Sequence, residues 1–165
     1  MNNIIFLDID GVLNSQNTFI NTKDIKINYH KSSLYNDLKY KLFYKLLDID
    51  QNKIYLLKEI IRETNSKVVV TSSWRNLRIY PLIEEYLINI GIPIIGTTKY
   101  IDSRRKTEIK DYLKNHQVDN YIIIDDDIFS DFDLELLSHL IHTNFYHDGL
   151  DNEHVNESIY KLKRF

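Results

Sequence analysis

Short apolar runs recur along the chain, and each one ends in polar residues. They are Ile4 to Leu7, Val68 to Val70, Ile92 to Ile95, Tyr121 to Ile124 and Leu140 to Ile141. Short runs that are rich in β-branched residues are typical of strands buried on both faces of a parallel sheet. The pattern therefore predicts a sheet of about five strands.

Stretches with apolar residues three and four positions apart lie between these runs, as in amphipathic helices. They cover residues 54–61, residues 82–90, a stretch that begins at Ser103, and residues 153–162. Asp50 is placed to cap the first, and Gly91 follows the second as a stop. Strands and helices thus alternate, which predicts an α/β fold with a doubly wound, Rossmann-like parallel sheet and helices on both faces.

Residues 15–49 interrupt the alternation. Polar residues come first, and Leu34, Leu38, Leu42 and Leu46 then follow at helical spacing. The segment is too short to form a domain with its own core. We therefore expect one domain over residues 1–165, with a small cap-like insertion at about 15–49.

Composition narrows the chemistry of this domain. The 165 residues carry a formal net charge of -3, so no overall positive field attracts nucleic acid, and such binding needs a local patch. The chain has no cysteine, which excludes disulfides, thiolate metal sites and cysteine nucleophiles. No basic leader opens the sequence, and no apolar run approaches the ~20 residues of a spanning helix, so we expect a cytoplasmic protein without a membrane partner.

Carboxylates follow the predicted strands at the edge where parallel α/β sheets bind ligands. The first strand runs into Asp8 and Asp10, and the fourth runs into Asp125 to Asp127. Asp8 and Asp10 point to the same side of an extended chain, where like charges need a cation or a shared proton. A lone D-x-D is also common in turns, but oxygen ligands without sulfur favour Mg²⁺.

Four segments together resemble a known superfamily. F-L-D-I-D-G-V-L-N, V-V-V-T, R-K-T-E-I and I-I-I-D-D resemble, in this order, motifs one to four of the haloacid dehalogenase-like (HAD) phosphatases. In addition, S-S-W-R, R-x-x-E-I and D-D-D resemble the compact HAD domain of Swiss Army knife RNA-repair proteins. The resemblance covers nearly the whole chain and implies a HAD fold with a small cap or none.

The resemblance implies a role for each matching residue. Asp8 would be the nucleophile that forms an aspartyl phosphate, and Asp10 would protonate the leaving oxygen and then activate water. Thr71 would donate its hydroxyl to the phosphoryl oxygens, and Lys106 would orient Asp8 and offset charge in the transition state. Gly11 would keep the turn near the phosphate free of a side chain.

A Mg²⁺ site is also implied by the resemblance. Its ligands would be an Asp8 oxygen, the backbone carbonyl of Asp10 and an acidic side chain of motif four. Asp126 is preferred, because the family often has D-x-x-x-x-D and Asp131 stands at that spacing. The triple run leaves the register open by one, so Asp125 or Asp127 is the alternative ligand.

Residues just beyond motifs two and three are candidates for substrate binding. Arg75 suits bidentate phosphate binding, Trp74 either stacks on a base or packs in the core, and Ser72 lies beside them. Arg104 and Arg105 open a helix, where positive charge opposes the helix dipole. Either they are solvated or an anionic ligand explains them.

The expected function is that of a Mg²⁺-dependent phosphatase, with a nucleotide or nucleic-acid end phosphate as substrate. One alternative is a phosphatase of a small phosphorylated metabolite, with residues 15–49 closing over the site. Another is a catalytically silent binding module, against which the complete catalytic set argues. A response-regulator receiver uses similar groups, but its phosphoacceptor lies mid-chain, where this sequence has Thr71.

Overall fold

A parallel sheet forms the centre of the protein. The computed structural model describes residues 1–31, 37–102 and 104–164. The strands are β1 (Asn3–Leu7), β2 (Lys67–Val70), β3 (Ile94–Thr97), β4 (Asn120–Asp125) and β5 (Leu140–His142). Their order across the sheet is β3-β2-β1-β4-β5, and all neighbouring pairs are parallel. The predicted α/β, Rossmann-like fold is confirmed.

The register of the three central strands aligns their carboxyl ends. Leu7, the last residue of β1, pairs with Val70 in β2 and with Ile124 in β4. The residues that follow these three are Asp8, Thr71 and Asp125. The strand order reverses between β1 and β4, and ligands of open α/β sheets bind at such a point. The polar residues therefore meet where a binding crevice is expected.

Seven helices surround the sheet in the described part of the chain. They are α1 (Gln16–His30), α2 (Leu38–Leu46), α3 (Gln51–Thr64), α4 (Tyr80–Asn89), α5 (Arg105–Asn115), α6 (Leu134–His139) and α7 (Asn152–Lys163). Short 3₁₀ helices cover Ser73–Asn76 and Phe145–His147. As predicted, Asp50 caps α3, because its side chain accepts a hydrogen bond from Asn52 N at 2.8 Å.

Both faces of the sheet are covered by apolar side chains. Ile5 and Leu7 pack into one cluster, which includes Leu57 of α3, and Ile4 and Phe6 pack into a second cluster on the other face. Side chains alternate in direction along a strand. An uninterrupted apolar strand is therefore stable only between two covered faces, as the sequence pattern indicates.

Strand β3 begins two residues later than the apolar run predicts. Ile92 is buried but precedes Pro93, which has no N–H to donate to the sheet. The Pro93 carbonyl still accepts a hydrogen bond from Val68 N at 3.0 Å, and regular pairing starts at Ile94. The apolar run therefore marks the buried segment rather than the hydrogen-bonded strand.

Helices α1 and α2 occupy the segment at 15–49. Helix α1 was not predicted, because its apolar residues do not share one face and several are exposed. Its contacts with the rest of the protein include the rings of Phe19 and Phe145, whose centroids lie 5.7 Å apart. Leu34 and Ser103, two residues used in the predictions, lie outside the described residues. Among the helices that the structure describes, none is long and apolar enough to cross a membrane.

Candidate active site

Three carboxylates converge at the carboxyl edge of the sheet. Asp8 follows β1, Asp125 ends β4 and Asp126 comes next, and one oxygen of each lies within 4.8 Å of the others. Asp8 is only 8% exposed, and Asp125 is completely buried. Asp8 N donates a hydrogen bond to Ile124 O at 3.0 Å, so the sheet ladder itself brings the two segments together.

Burial makes negative charge costly for these carboxylates. It raises the pKa of Asp8 to about 6, against the opposing effects of the Arg105 guanidinium and a hydrogen bond with Ser72. Burial and the neighbouring Asp8 carboxylate raise the pKa of Asp125 to about 8. Burial also raises the pKa of Asp126. Because adjacent buried carboxylates resist ionisation together, a bound cation would stabilise the cluster.

The donor atoms fit a Mg²⁺ ion. Asp125 Oδ2 is buried and accepts no hydrogen bond from the residues that the structure describes, although Arg105 Nε lies 3.5 Å away. A cluster of oxygen donors without sulfur suits a small, hard cation. Within the described ranges, Asp127 and Asp131 are not part of the three-carboxylate cluster. The geometry therefore favours Asp125 or Asp126 as the ligand from motif four.

Arg105, rather than Lys106, lies beside the carboxylates. Arg105 Nη2 is 3.8 Å from Asp8 Oδ1, and Arg105 Nη1 donates to the backbone carbonyl of Thr71. Lys106 Nζ instead lies 3.3 Å from Asp133 Oδ2, and its side chain is 38% exposed. Neighbouring helical residues point about 100° apart, so only one of the two faces the site. The expected contact between Lys106 and Asp8 is corrected: Arg105 makes it.

Thr71 and Ser72 place two buried hydroxyls at the end of β2. Thr71 N donates to Leu7 O at 2.8 Å, which continues the sheet ladder. Thr71 Oγ1 is buried and has no hydrogen-bond partner in the described part of the chain. An unpaired buried hydroxyl costs free energy, and a phosphoryl oxygen would satisfy it. Ser72 is fully buried and forms a hydrogen bond with Asp8.

The Asp10 carboxylate is held at both of its oxygens. Asn14 Nδ2 donates to Asp10 Oδ1 at 2.9 Å, and Trp74 Nε1 donates to Asp10 Oδ2 at 2.9 Å. Asn14 Oδ1 in turn accepts from Gly11 N at 2.8 Å. A helical turn that starts at Ile9 brings the buried Asn14 side chain back to Asp10. These contacts fix the direction of the carboxylate.

Trp74 is not available for stacking on a base. It is 2% exposed, and Lys45 Nζ lies 3.8 Å from the centroid of its ring. Lys45 and Lys26 of the insertion both pair with Asp48. Burial lowers the pKa of both lysines, and the negative charge of Asp10 opposes that effect. Helix α2 thus packs, through Lys45, on the tryptophan that holds Asp10.

Arg75 is likewise bound within the protein. Its Nη2 pairs with Glu108 Oε2 at 2.7 Å, and the two side chains are 6% and 3% exposed. Its Nη1 donates to the backbone carbonyls of Thr71 and Ser72. Arg75 therefore ties the loop after β2 to α5, and the expected bidentate contact with a substrate phosphate is corrected. Arg104, at the start of α5, is exposed.

Gly11 leaves room for the Asp126 carboxylate. Its φ of +71° lies in the left-handed region, and a Cβ there would lie 2.1 Å from Asp126 Oδ2. Any larger residue would be strained by its backbone and would displace that carboxylate. The expected role of Gly11 beside a substrate phosphate stays a prediction.

Three functional contacts were missed by the sequence analysis. Asn14 had a usable signal, because it stands four residues after Asp10, the spacing of one helical turn. Lys45 on Trp74 had none, because the pair joins distant segments of the chain. Arg75 and Glu108 stand in the S-S-W-R and R-x-x-E-I segments, but nothing in either segment shows that the two residues pair.

The fold and the carboxylate cluster define a HAD-type domain. The family described as "HAD domain in Swiss Army Knife RNA repair proteins" matches residues 4–155, and the chain belongs to this family. HAD domains form a phosphatase and hydrolase superfamily whose members generally use Mg²⁺. Searches of curated proteins and of solved structures returned no significant match.

Proposed function

We propose that the protein is a Mg²⁺-dependent phosphomonoesterase that acts through an aspartyl-phosphate intermediate. The observation that carries the proposal is the setting of Asp8, which lies within 4.8 Å of two further carboxylates and has Arg105 at 3.8 Å. A cation beside these carboxylates and the guanidinium would surround the nucleophile with positive charge. Phosphoryl transfer depends mainly on such positioning and charge stabilisation.

The first step transfers the phosphoryl group to the protein. An Asp8 oxygen attacks phosphorus, and the bond between phosphorus and the leaving oxygen breaks. Asp10 gives its proton to that oxygen, so the leaving group departs as a neutral alcohol. Arg105 and the unpaired Thr71 hydroxyl stabilise the phosphoryl oxygens.

The second step restores the protein. Asp10, now a carboxylate, takes a proton from water while the water oxygen attacks phosphorus and the bond to Asp8 breaks. Inorganic phosphate leaves, and Asp10 again carries a proton. Asn14 and Trp74 hold the Asp10 carboxylate in place for both transfers. Mg²⁺, held by Asp8, the Asp10 carbonyl and Asp126 or Asp125, would supply positive charge that neutralises the phosphoryl oxygens.

A nucleotide or a nucleic-acid end is the proposed substrate. The family description supports this class, because it places the domain in RNA-repair proteins. Residues 15–49 are proposed to act as a small cap-like insertion in a single domain, rather than as a separate lid domain. A small phosphorylated metabolite is the alternative substrate, and salt separates the two, since polynucleotide binding weakens steeply with salt.

The decisive experiment is a phosphatase screen with Mg²⁺ and with EDTA. Nucleotides, end-phosphorylated oligonucleotides and sugar phosphates serve as substrates, and acid-quenched protein is weighed by mass spectrometry. We expect Mg²⁺-dependent release of phosphate and a phosphoryl adduct that is absent from Asp8→Asn. No turnover of any ester would favour the silent binding module instead.

A further inference from the structure

A small open cavity adjoins the site on the side of α5. Its volume is about 140 Å³, and its lining includes Ser73, Asn76, Tyr100, Arg105 and Phe129. Arg105 belongs to both places, because its guanidinium also lies 3.8 Å from Asp8 Oδ1. The part of a substrate that is attached to a phosphate at Asp8 can therefore extend into this cavity.

Two aromatic side chains give the cavity its character. Tyr100 lines the cavity and is 61% exposed. Phe129 lies under the Arg105 guanidinium, with its ring centroid 5.0 Å from Arg105 Cζ. Aromatic rings and guanidinium planes are the surfaces on which proteins stack unpaired bases.

The remaining lining is polar but contributes little net charge. Arg75 and Glu108 form an ion pair in which Nη2 lies 2.7 Å from Oε2, so their charges offset each other. Arg105 is already paired with Asp8 and Asp125. A second anionic group of a ligand would therefore gain little here. The exposed Ser73 and Asn76 side chains offer a hydroxyl and an amide. Such groups both donate and accept hydrogen bonds, as the edge of a base requires.

The size of the cavity limits what it can take. Pockets that enclose a drug-sized ligand measure about 300–1,000 Å³, and this one measures about 140 Å³. It therefore has room for one ring system, while the rest of the substrate lies outside.

We propose that this cavity binds the base of the nucleotide whose phosphate reaches Asp8, with Tyr100 as its stacking surface and Phe129, beneath Arg105, as part of its wall. The inference rests on the proposed phosphatase function and adds to it the place where the base of the substrate binds. Nucleoside phosphates are preferred over phosphates of the bare sugar. Tyr100 thereby takes the stacking role that the sequence analysis considered for Trp74.

The test uses substrates that differ only in the base. Adenosine 5′-monophosphate is compared with ribose 5-phosphate, and the corresponding 3′ pair is compared in the same way. We expect kcat/KM to favour the nucleotide of at least one pair by about tenfold, and Tyr100→Ala to reduce this ratio by about tenfold. Tyr100→Phe should preserve it. Tyr55→Ala, at a 68% exposed tyrosine of α3, is the matched control and should leave the ratio unchanged.

A binding measurement separates the two proposals. Calorimetric titration of Asp8→Asn, with and without Tyr100→Ala, follows the nucleotides in the absence of turnover. Turnover of phosphate esters with no preference for the base, and no effect of Tyr100→Ala on either measurement, would overturn the cavity proposal and leave the phosphatase proposal standing. Binding of nucleotides that depends on Tyr100, without turnover by the wild type, would support the cavity and overturn the phosphatase.

Discussion

Asp8 and Asp10 stand two residues apart in the chain but in contrasting surroundings. The Asp8 region consists of strand ends, with Asp125 and Asp126 as like-charged neighbours and Arg105 as the counterion. The Asp10 region consists of a turn and a 3₁₀ helix, and both carboxylate oxygens accept hydrogen bonds from neutral donors.

The contrast shows that the two regions depend on different parts of the molecule. The Asp8 region has several buried carboxylates, and Asp125 Oδ2 accepts no hydrogen bond within the described ranges, so a bound cation or a proton would stabilise it. The Asp10 carboxylate already accepts its hydrogen bonds, and the position of its donor Trp74 depends on residues 15–49, because Lys45 packs on the Trp74 ring. Removal of the metal and changes in residues 15–49 are therefore expected to affect different steps of the proposed reaction.

Loss of the nucleophile should have the largest effect. We expect Asp8→Asn to lower kcat by more than about 10⁴-fold, because an amide cannot form the acyl phosphate. The substitution is nearly isosteric and removes one of the repelling charges, so the fold should be retained. Hydrolysis of an aryl phosphate in Mg²⁺ measures the effect, and near-normal turnover would refute the assignment of Asp8.

The basic residue of motif three comes next. Arg105→Met should lower kcat/KM by about 10²–10³-fold, the cost of losing a donor aimed at developing charge. Lys106→Met is the matched control one residue away, and its exposed pair with Asp133 should make its effect smaller than about twofold. If the two variants lost kcat/KM equally, Lys106 would have to be assigned to the site as well.

The Mg²⁺ requirement tests which carboxylates of motif four belong to the Asp8 region. Asp126→Ala should raise the Mg²⁺ concentration needed for half-maximal activity by about 10–100-fold. Asp127→Ala should change it little, because Asp127 is exposed and outside the carboxylate cluster. A Mg²⁺ titration of phosphatase activity compares them, and the opposite order would shift the register by one residue.

Trp74→Phe tests the Asp10 region alone, because it removes the N–H donor and keeps the ring under Lys45. We expect kcat/KM to fall about tenfold for an alkyl phosphate and less for a nitrophenyl phosphate. The reason is that a good leaving group needs little protonation. Asp10→Asn should act in the same direction with a loss of about 10²–10⁴-fold. Equal losses of Trp74→Phe on both esters would instead indicate a general packing defect.

The smallest expected effect is on stability against pH. Burial raises the pKa of Asp8 to about 6 and that of Asp125 to about 8, from about 3.9 in the unfolded chain. The folded state thus binds these protons more tightly. Their stabilising contribution is complete below about pH 4 and is lost as the pH rises toward about 8.

Thermal denaturation in EDTA measures this loss. Asp125→Asn should retain more of its Tm than the wild type between about pH 5 and 8, by several degrees. Mg²⁺ should raise the Tm of the wild type more at about pH 8 than at about pH 5, where protons compete for the carboxylates. If Tm varied with pH in the same way in the wild type and in Asp125→Asn, the inferred charge repulsion at Asp125 would be wrong.

Local patterns in the sequence were sufficient to predict the sheet and its polar edge. Apolar runs identify buried strands because a strand between two covered faces tolerates few polar residues. Since parallel strands end at a common edge, the residues after β1, β2 and β4 could be grouped from the sequence alone. These include Asp8, Thr71 and Asp125. The predicted start of β3 was two residues too early, because Pro93 has no N–H to donate to the sheet although the segment is already buried.

Tertiary structure alone decided which side chains reach the site. Whether Arg105 or Lys106 faces the site depends on the rotation of α5 about its axis. The packing of α5 on the sheet sets this rotation, and the spacing of residues in the sequence does not predict it. Lys45 lies against the ring of Trp74, and Glu108 pairs with Arg75. Neither Trp74 nor Arg75 therefore offers a substrate the contact that the sequence suggested. Spacing within one element constrains only the side chains of that element, whereas these contacts join segments whose proximity arises from the folded packing of the whole chain.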